Sequence, residues 1–376
     1  MRVLLNTKLL MSCNKAGIGS YVFNLYKELL KAGIDVVPTM SKESFSLVSS
    51  IGSASSRLRA TLGRYYPPFI RRVSDAVYRY LYQKDTRVSA YDIYHETNLE
   101  LMPAIHVKSV CNIYDLSFLH FPEFFLEGFA ERAGTIVSAN AAAAERIIVN
   151  THFIKEEVRD MLKVPDVKID VIPLAASDFF FEGRDSSVRP ETVKKYTDKD
   201  YILYVGTVEP RKNLKTLIRA YKDLKAKCDV ALVIAGGLGW LYDDVVAYPG
   251  KLGLREDVIF TNYIDDGTLR SLYDHASVFV YPSFYEGFGI PPLEAMTCGV
   301  PAVISDIPSL REVAGDASLF FRPADHEELA HEVGRLLSSE SLRTEMKQRG
   351  LQKAKEYSWR RVAAETIRTY EKALSS

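Results

Sequence analysis

Residues 278–302, VFVYPSFYEGFGIPPLEAMTCGVPA, contain the pattern from which the fold can be read. An apolar run predicts a buried strand at Val278–Pro282, a loop with Gly287 and Gly289 follows, and a helix is predicted from about Pro291. Proline is favoured in the first turn of a helix, because its missing N–H would have no partner there. A strand, a glycine loop and a helix in this order are typical of a doubly wound α/β domain.

The same loop has the features of a ligand site. Its two glycines let backbone amides approach a ligand closely, and the amino terminus of the following helix favours an anion such as phosphate. Glu286 lies in the loop, where it can reach a sugar, and Glu294 lies one turn into the helix. A carboxylate accepts two hydroxyls at once, which suits a ribose diol. Alternatively, Glu294 only stabilises the helix dipole, by about 0.3–1 kcal/mol.

A second segment, residues 201–214, reads YILYVGTVEPRKNL. A buried strand is predicted to run into Gly206-Thr207, and a helix is predicted to begin at about Asn213. Arg211 and Lys212 then lie at the carboxyl end of the strand, where open α/β sheets bind ligands. Two cations there would stabilise a diphosphate leaving group as it gains charge. The alternative is a solvated basic pair before a helix.

Apolar strand patterns alternate with amphipathic helical patterns along most of the chain. Because the strands are apolar on both faces, they predict parallel sheets covered by helices on both sides. Twelve strands are predicted in two sets of six: 2–6, 35–39, 93–95, 110–114, 146–150 and 169–173, then 201–205, 230–235, 258–261, 278–282, 302–305 and 319–321. Two such sets predict two Rossmann-like doubly wound domains.

The boundary between the two sets is predicted in a polar stretch without periodicity, EGRDSSVRPETVKKYTDKD, at residues 182–200. We therefore expect an amino-terminal domain at residues 1–175 and a carboxyl-terminal domain at residues 176–358. Residues 359–376 have apolar side chains at helical spacing. This last helix could complete the second domain or cross back to the first.

Residues 201–305 resemble the donor domain of the retaining glycosyltransferases of family 4, which have the GT-B architecture of two Rossmann-like domains facing across a cleft. The matching strings are VGTVEPRKNL, VIAGGLGW, EGFGIPPLE and AMTCGVPAV. The resemblance implies that Arg211 and Lys212 hold the donor diphosphate, that Glu294 binds the ribose and that Glu286 faces the transferred sugar. We also assign the following residues to the donor site: Gly206, Thr207, Gly287, Phe288 and Gly289.

The first half resembles the family more weakly. Gly17 and Gly19 precede a helix predicted from Ser20, and the family uses such a loop to close over the donor phosphates and the acceptor. It is not a dinucleotide fingerprint, because Val22 occupies the place of the third glycine.

Residues 112–123, NIYDLSFLHFPE, resemble the family's active-site loop, in which a histidine often precedes the aspartate. Here Tyr114 stands in that place before Asp115, and a tyrosine is a poor base at neutral pH. We expect Asp115 to act in catalysis. The acceptor candidates are His95, Glu96, Tyr114 and His120, although His120 could instead be an ordinary packed or solvated histidine.

The resemblance implies transfer of a hexose from a nucleoside-diphosphate sugar to a hydroxyl, with retention at the anomeric carbon. Residues 209–222, EPRKNLKTLIRAYK, are most similar to bacterial mannosyltransferases that build surface polysaccharide from GDP-mannose. We therefore expect GDP-mannose as donor and a glycan or lipid-linked oligosaccharide as acceptor. A UDP-hexose donor, a sugar-nucleotide epimerase, a phosphorylase and a non-catalytic sugar-nucleotide binder remain alternatives.

Composition and charge indicate which other classes of protein the sequence does not resemble. The formal net charge is zero, so bulk charge does not favour nucleic acid. Four widely spaced cysteines form no metal or disulfide pattern, and no cofactor or metal is expected. The amino terminus predicts a buried strand and not a signal peptide, and no apolar stretch is long enough to span a membrane, so a cytoplasmic location is expected.

One segment departs from this neutral balance. Residues 57–87 contain eight arginines or lysines against two aspartates, interleaved with six aromatic residues. A basic, aromatic helix of this kind can lie on an anionic membrane surface, where a lipid-linked acceptor would be presented. The alternative is a solvated helix whose tyrosines pack inward.

Overall fold

The computed structural model describes residues 1–8, 17–39, 90–103, 106–181 and 190–376. Within these ranges the chain forms two six-stranded parallel sheets flanked by helices. All twelve predicted strands are present, with ends that differ by no more than two residues from the predicted ones. The basic segment at residues 57–87 lies outside the described residues.

The first half has the strand order β2-β1-β3-β4-β5-β6. Its strands are β1 Arg2–Leu5, β2 Asp35–Pro38, β3 Ile93–Glu96, β4 Lys108–Asn112, β5 Arg146–Val149 and β6 Ile169–Val171. The helices between them are α1 Ile18–Lys31, α2 Ser117–His120, α3 Phe129–Ala143 and α4 His152–Met161.

The second half has the strand order β12-β11-β10-β7-β8-β9. Its strands are β7 Tyr201–Val205, β8 Ala231–Ala235, β9 Val258–Asn262, β10 Val278–Tyr281, β11 Ala302–Ser305 and β12 Leu319–Phe321. The helices from the linker onward are α5 Glu191–Lys194, α6 Leu214–Lys225, α7 Asp243–Val246, α8 Tyr248–Lys251, α9 Asp266–His275, α10 Ile290–Thr297, α11 Pro308–Ala314, α12 His326–Ser338, α13 Glu340–Ala354 and α14 Trp359–Leu374.

The central strands of the second sheet are buried along their whole length. Every residue of β7, β8, β10 and β11 is buried. A parallel sheet needs this pattern because helices cover both of its faces. Since β7 and β10 are neighbours, the loops that follow them emerge side by side at the carboxyl edge of the sheet. Those are the two loops that the sequence marks as functional.

Helix α14 follows the second sheet in the chain but packs against α1, β4 and β5 of the first. Tyr357 still belongs to the second half, where its ring contacts Phe288 and its hydroxyl donates to the Val313 carbonyl. Two residues later, Trp359 is buried with its ring 6.0 Å from that of Tyr21. The chain therefore returns to the first half within residues 357–359.

Candidate active site

The loops after β7 and β10 are bonded to each other. The amide of Phe284 donates to the Arg211 carbonyl over 3.0 Å. Asn213 adopts the left-handed conformation, with φ of 55°, and its side-chain amide donates to the carbonyls of Pro282 and Pro323 over 2.9 and 2.6 Å. Asparagine tolerates this conformation better than most residues. The turn before α6 is thereby fixed to the turn after β10.

Two cations and two carboxylates meet between these loops. Arg211 Nη1 lies 3.1 Å from Glu286 Oε2, and Arg211 Nη2 donates to Glu209 Oε1 over 2.8 Å. Lys212 Nζ donates to Glu286 Oε1 and, over 2.9 Å, to the Tyr281 hydroxyl. A short 3₁₀ helix at Pro210–Lys212 presents both cations to the same carboxylate. The structure thus brings together Arg211, Lys212 and Glu286, which are expected to act on the diphosphate and the transferred sugar.

Burial and the neighbouring cations have opposite effects on the pKa of Glu286. Burial alone would raise the pKa of Glu286, but Lys212 and Arg211 outweigh it and hold the pKa at about 2. Burial and the neighbouring Arg211 lower the pKa of Lys212, which its two carboxylate neighbours partly offset. The Glu286 carboxylate is consequently ionised at neutral pH.

Two polar atoms of this cluster have no hydrogen-bond partner among the described residues, namely Arg211 Nε and Glu209 Oε2, and both are buried. Buried polar atoms are nearly always satisfied, so orphaned ones mark strain or a place for a ligand. Burial also raises the pKa of Glu209.

Glu294 lies on α10, which begins at Ile290 after Gly289 in the left-handed region, with φ of 95°. The residue is half-buried, and its carboxylate accepts a hydrogen bond of 3.0 Å from the Tyr273 hydroxyl. Burial raises the pKa of Glu294 to about 7. Unlike Glu286, this carboxylate has no ion pair among the described residues, which leaves its oxygens available for hydroxyls.

The glycine loop comes into direct contact with the first half at Gly287. A Cβ placed on Gly287 would lie 1.9 Å from the Tyr114 carbonyl oxygen and 3.1 Å from the Asp115 Cβ. The Gly287 carbonyl accepts a hydrogen bond of 3.0 Å from the Thr151 hydroxyl. Only a glycine permits this approach, which places Asp115 beside the donor-site loop.

The remaining donor-site residues differ in what they can offer. Gly206 and Thr207 follow β7 directly, and the Gly206 amide donates to the Ala235 carbonyl. The side chain of Phe288 is buried against Tyr357, so that this residue has only its backbone to offer a donor. Gly17 caps the amino terminus of α1, and Gly19 is buried in the first turn of that helix.

The loop after β4 carries Tyr114, Asp115 and His120. The Tyr114 hydroxyl donates to the Thr97 carbonyl over 2.9 Å, and burial raises its pKa well above the ordinary value, so it is not a base near neutral pH. Asp115 accepts hydrogen bonds from the amide and hydroxyl of Ser117, which fix its orientation. His120 is exposed and pairs with Glu157 over 2.6 Å.

The acceptor contacts expected of His95 and Glu96 stay a prediction, and the structure gives both side chains partners inside the protein. His95 is fully buried, and its ring nitrogens bond Tyr370 and Asn112 over 2.7 and 2.6 Å. Glu96 is also buried and accepts hydrogen bonds from the side chains of Asn6 and Tyr94. Both side chains are therefore buried and hydrogen-bonded to other residues of the protein.

Two functional candidates were missed by the sequence reasoning. Glu209 is part of the quoted string VGTVEPRKNL, and an acidic residue two positions before an arginine could have signalled the pair. Tyr285 directly precedes Glu286, but its contact with Glu157 joins residues 128 positions apart. No local pattern could have revealed that contact.

The described residues form neither a metal-ion site nor a membrane-spanning helix. Among the described residues, no group of three or more His, Cys, Asp or Glu side chains is placed to hold a metal ion. In the same residues, no helix has the length and apolar character needed to cross a membrane.

Comparison with known proteins decides the family. Residues 16–176 match the model "Glycosyltransferase Family 4", and residues 187–353 match "Glycosyl transferases group 1". The chain is 33% identical to O-antigen chain mannosyltransferase B of Escherichia coli, over 94% of this chain and 96% of that protein. This chain belongs to the family 4 glycosyltransferases.

Solved structures confirm the GT-B fold of this glycosyltransferase. Sucrose-phosphate synthase from Thermosynechococcus elongatus matches with a TM-score of 0.72 at 18% identity, over 99% of this chain and 98% of that one. The Anabaena protein Alr3699/HepE, in complex with UDP and glucose, matches with a TM-score of 0.73 at 15% identity, over 99% of both chains. At such low identity these two matches concern the fold alone.

Proposed function

We propose that the protein transfers mannose from GDP-mannose to a hydroxyl of a glycan or lipid-linked oligosaccharide, with retention at the anomeric carbon. The second half binds the donor and the first half binds the acceptor, with the boundary between residues 175 and 176. The observation that carries the proposal is the buried cluster of Arg211 and Lys212 around Glu286, which is built for an anion next to a hydroxyl-rich group.

The diphosphate of the donor is assigned to the two cations. Arg211 retains a buried, unpartnered Nε–H, and Lys212 is held in place by Tyr281. As the glycosidic bond breaks, the leaving phosphate gains charge, and preorganised cations stabilise that state more than the ground state. The two cations are preorganised, because the loops that carry them are hydrogen-bonded to each other.

Glu286 and Glu294 are assigned to different parts of the donor. Glu286 is ionised and lies beside both cations, so it contacts the sugar adjacent to the diphosphate. Glu294 accepts a hydrogen bond only from Tyr273 among the side chains described, so it binds the ribose diol. In this arrangement the nucleotide lies over the start of α10, whose amino terminus favours an anion.

We favour front-face substitution as the mechanism. The departing phosphate oxygen takes the proton of the acceptor hydroxyl, while Arg211, Lys212 and the loop amides hold the diphosphate. No side-chain base is then required, which agrees with the buried, weakly acidic Tyr114. Asp115, fixed by Ser117 next to Gly287, is placed to orient the acceptor or the sugar.

The choice of mannose and of a glycan acceptor is supported by the similarity to a protein named as an O-antigen chain mannosyltransferase. The alternative donor is a UDP-hexose, because a structural neighbour was solved with UDP and glucose. The identity to that neighbour is only 15%, whereas the named mannosyltransferase is 33% identical. We therefore place GDP-mannose first.

The test is a thermal-shift panel with GDP, UDP and ADP, followed by an assay of GDP release from GDP-mannose with and without a mannan-type acceptor. A ligand that binds the folded state raises the melting temperature. GDP should give the largest shift, and acceptor should stimulate GDP release. A larger shift of the melting temperature with UDP would indicate that the donor is a UDP-hexose. Binding without release of nucleotide would leave an epimerase or a non-catalytic binder.

A further inference from the structure

One helix of the first half, α4, holds the second half at three places. The Thr151 hydroxyl, just before the helix, donates to the Gly287 carbonyl. The amides of His152 and Phe153 donate to the Glu312 carboxylate over 2.8 and 3.2 Å. One turn further along, Glu157 accepts a hydrogen bond from the Tyr285 hydroxyl.

The second contact, between Glu312 and the first amides of α4, is favourable because of where these amides lie in the helix. The first amides of a helix have no partner within the helix, and a carboxylate there also interacts favourably with the helix dipole. Glu312 of the second half therefore satisfies orphan donors of the first. These bonds exist only while the two halves are together.

The third contact reaches the catalytic loops. The Tyr285 hydroxyl also accepts a hydrogen bond of 3.2 Å from the Leu116 amide, the residue after Asp115. The Tyr285 carbonyl accepts a hydrogen bond of 2.8 Å from Arg211 Nη1. The side chain is buried between the rings of His120 and Phe153, at centroid distances of 5.3 and 5.9 Å.

We propose that Tyr285 is a positioning residue that couples closure of the two halves to the placement of Arg211 and Asp115. Among the described residues, its hydroxyl has hydrogen-bond partners only in the first half, whereas its backbone carbonyl holds Arg211 in the second. When the halves separate, the hydroxyl loses both partners and the ring loses its packing against His120 and Phe153. The loop at residues 284–287 is then no longer held, and neither is the carbonyl that orients the guanidinium.

The test is Tyr285→Phe, which keeps the ring and removes only the hydroxyl. With GDP-mannose and acceptor as substrates, kcat should fall about tenfold or more, while the Kd for GDP stays within about twofold. Small-angle X-ray scattering of the free protein should show a larger radius of gyration than wild type. The matched control is Tyr221→Phe, which removes a buried hydroxyl bonded to the Val230 carbonyl away from the cleft and should alter neither kcat nor the scattering.

A double-mutant cycle with Glu157 adds a second test. Glu157→Leu should reproduce the Tyr285→Phe loss and should add little to it when the two are combined. Glu157→Gln still offers an oxygen to the hydroxyl and should retain at least tenfold more activity than Glu157→Leu.

Four outcomes would overturn the proposal: unchanged kcat in Tyr285→Phe, a Kd for GDP that worsens as much as kcat, fully additive losses in the cycle, or an unchanged radius of gyration. The activity arm rests on the proposed donor, whereas the scattering arm does not. Absence of GDP release by the wild-type protein would therefore contradict the proposed function, and an unchanged radius of gyration would contradict this inference.

Discussion

Arg211 and Lys212 are both paired with the buried Glu286 carboxylate. Removing one partner of a buried pair leaves the other uncompensated, which is more costly than losing a surface pair. Substitutions in this cluster are therefore expected to change both catalysis and stability. Measurements at these residues need to separate the two effects.

Arg211→Ala and Lys212→Ala should each lower turnover about a hundredfold or more, because each removes a preorganised cation from the leaving diphosphate. GDP release from GDP-mannose and the melting temperature should be measured together. Lys215→Ala is the control, since Lys215 lies nearby in the first turn of α6 but pairs with exposed Asp244 and contacts the Tyr248 ring. Near-normal turnover in both cluster variants would disprove the diphosphate assignment.

Glu294→Ala should weaken binding of free GDP, because it removes the acceptor for the ribose hydroxyls. Glu286→Ala should leave GDP binding intact and damage transfer. It should also lower the melting temperature of the free protein, since two buried cations lose their partner. Calorimetry with GDP separates the roles. Equal weakening of GDP binding by both variants would contradict the division of labour.

The loop between β10 and α10 packs closely against the loop after β4, and Gly287 contacts Tyr114 there. Gly287→Ala should lower kcat about a hundredfold, because the new methyl group would force the two loops apart. Gly237→Ala is the control, since its Cβ would enter open space. Comparable activity of the two variants would show that the loops need not touch during catalysis.

Strand β3 ends in two buried groups whose pKa values are shifted in opposite directions. Burial lowers the pKa of His95 to about 4 and raises that of Glu96 to about 7. Because His95 gains a proton on unfolding between pH 6.5 and 4, its contribution to stability falls as pH decreases. Glu96 loses a proton on unfolding between pH 4.5 and 7, so its contribution falls as pH increases. Each residue changes the stability by about 3 kcal/mol over its pH range. Because the two pH dependences have opposite signs, they nearly cancel between pH 4.5 and 6.5.

Single variants should expose each slope. In His95→Gln the urea midpoint should fall as pH is raised from 5 to 6.5, and in Glu96→Gln it should rise over the same range. The other titrating groups are common to both proteins, so the difference between the slopes reports these two residues. Parallel slopes would mean that His95 and Glu96 are not titrating as buried groups.

The elements could largely be predicted from the sequence because each of them is coded locally. Apolar runs mark the buried strands, and Asp265, a residue type favoured directly before a helix, accepts a hydrogen bond from the Thr268 amide at the start of α9. The orientation of His95 could not be predicted, because its partner Tyr370 lies 275 residues away. A position at a strand end specifies the edge of the sheet but not the burial of the side chain.

At the scale of the whole molecule, the basic segment at residues 57–87 remains a prediction, since it lies outside the described residues. Several basic residues near an anionic surface contribute about 1 kcal/mol each, within a Debye length of about 8 Å. Binding to anionic liposomes should therefore weaken at high salt and in the triple variant Arg71→Gln, Arg72→Gln, Arg79→Gln. Equal co-sedimentation with neutral and anionic vesicles would favour the alternative interpretation, in which the segment does not bind membranes.

The return of the chain through residues 357–359 has a mechanical consequence. The two halves are joined by two separate covalent connections, one after β6 and one before α14. Two connections favour rotation of one half relative to the other about the axis that passes through both connections, and they resist rotation about other axes. The approach of the halves should therefore follow a single arc, along which Tyr285 and Gly287 meet the same partners each time the cleft shuts. A covalent link near α4 would lock that arc, whereas cutting the chain before Trp359 would free the halves to twist.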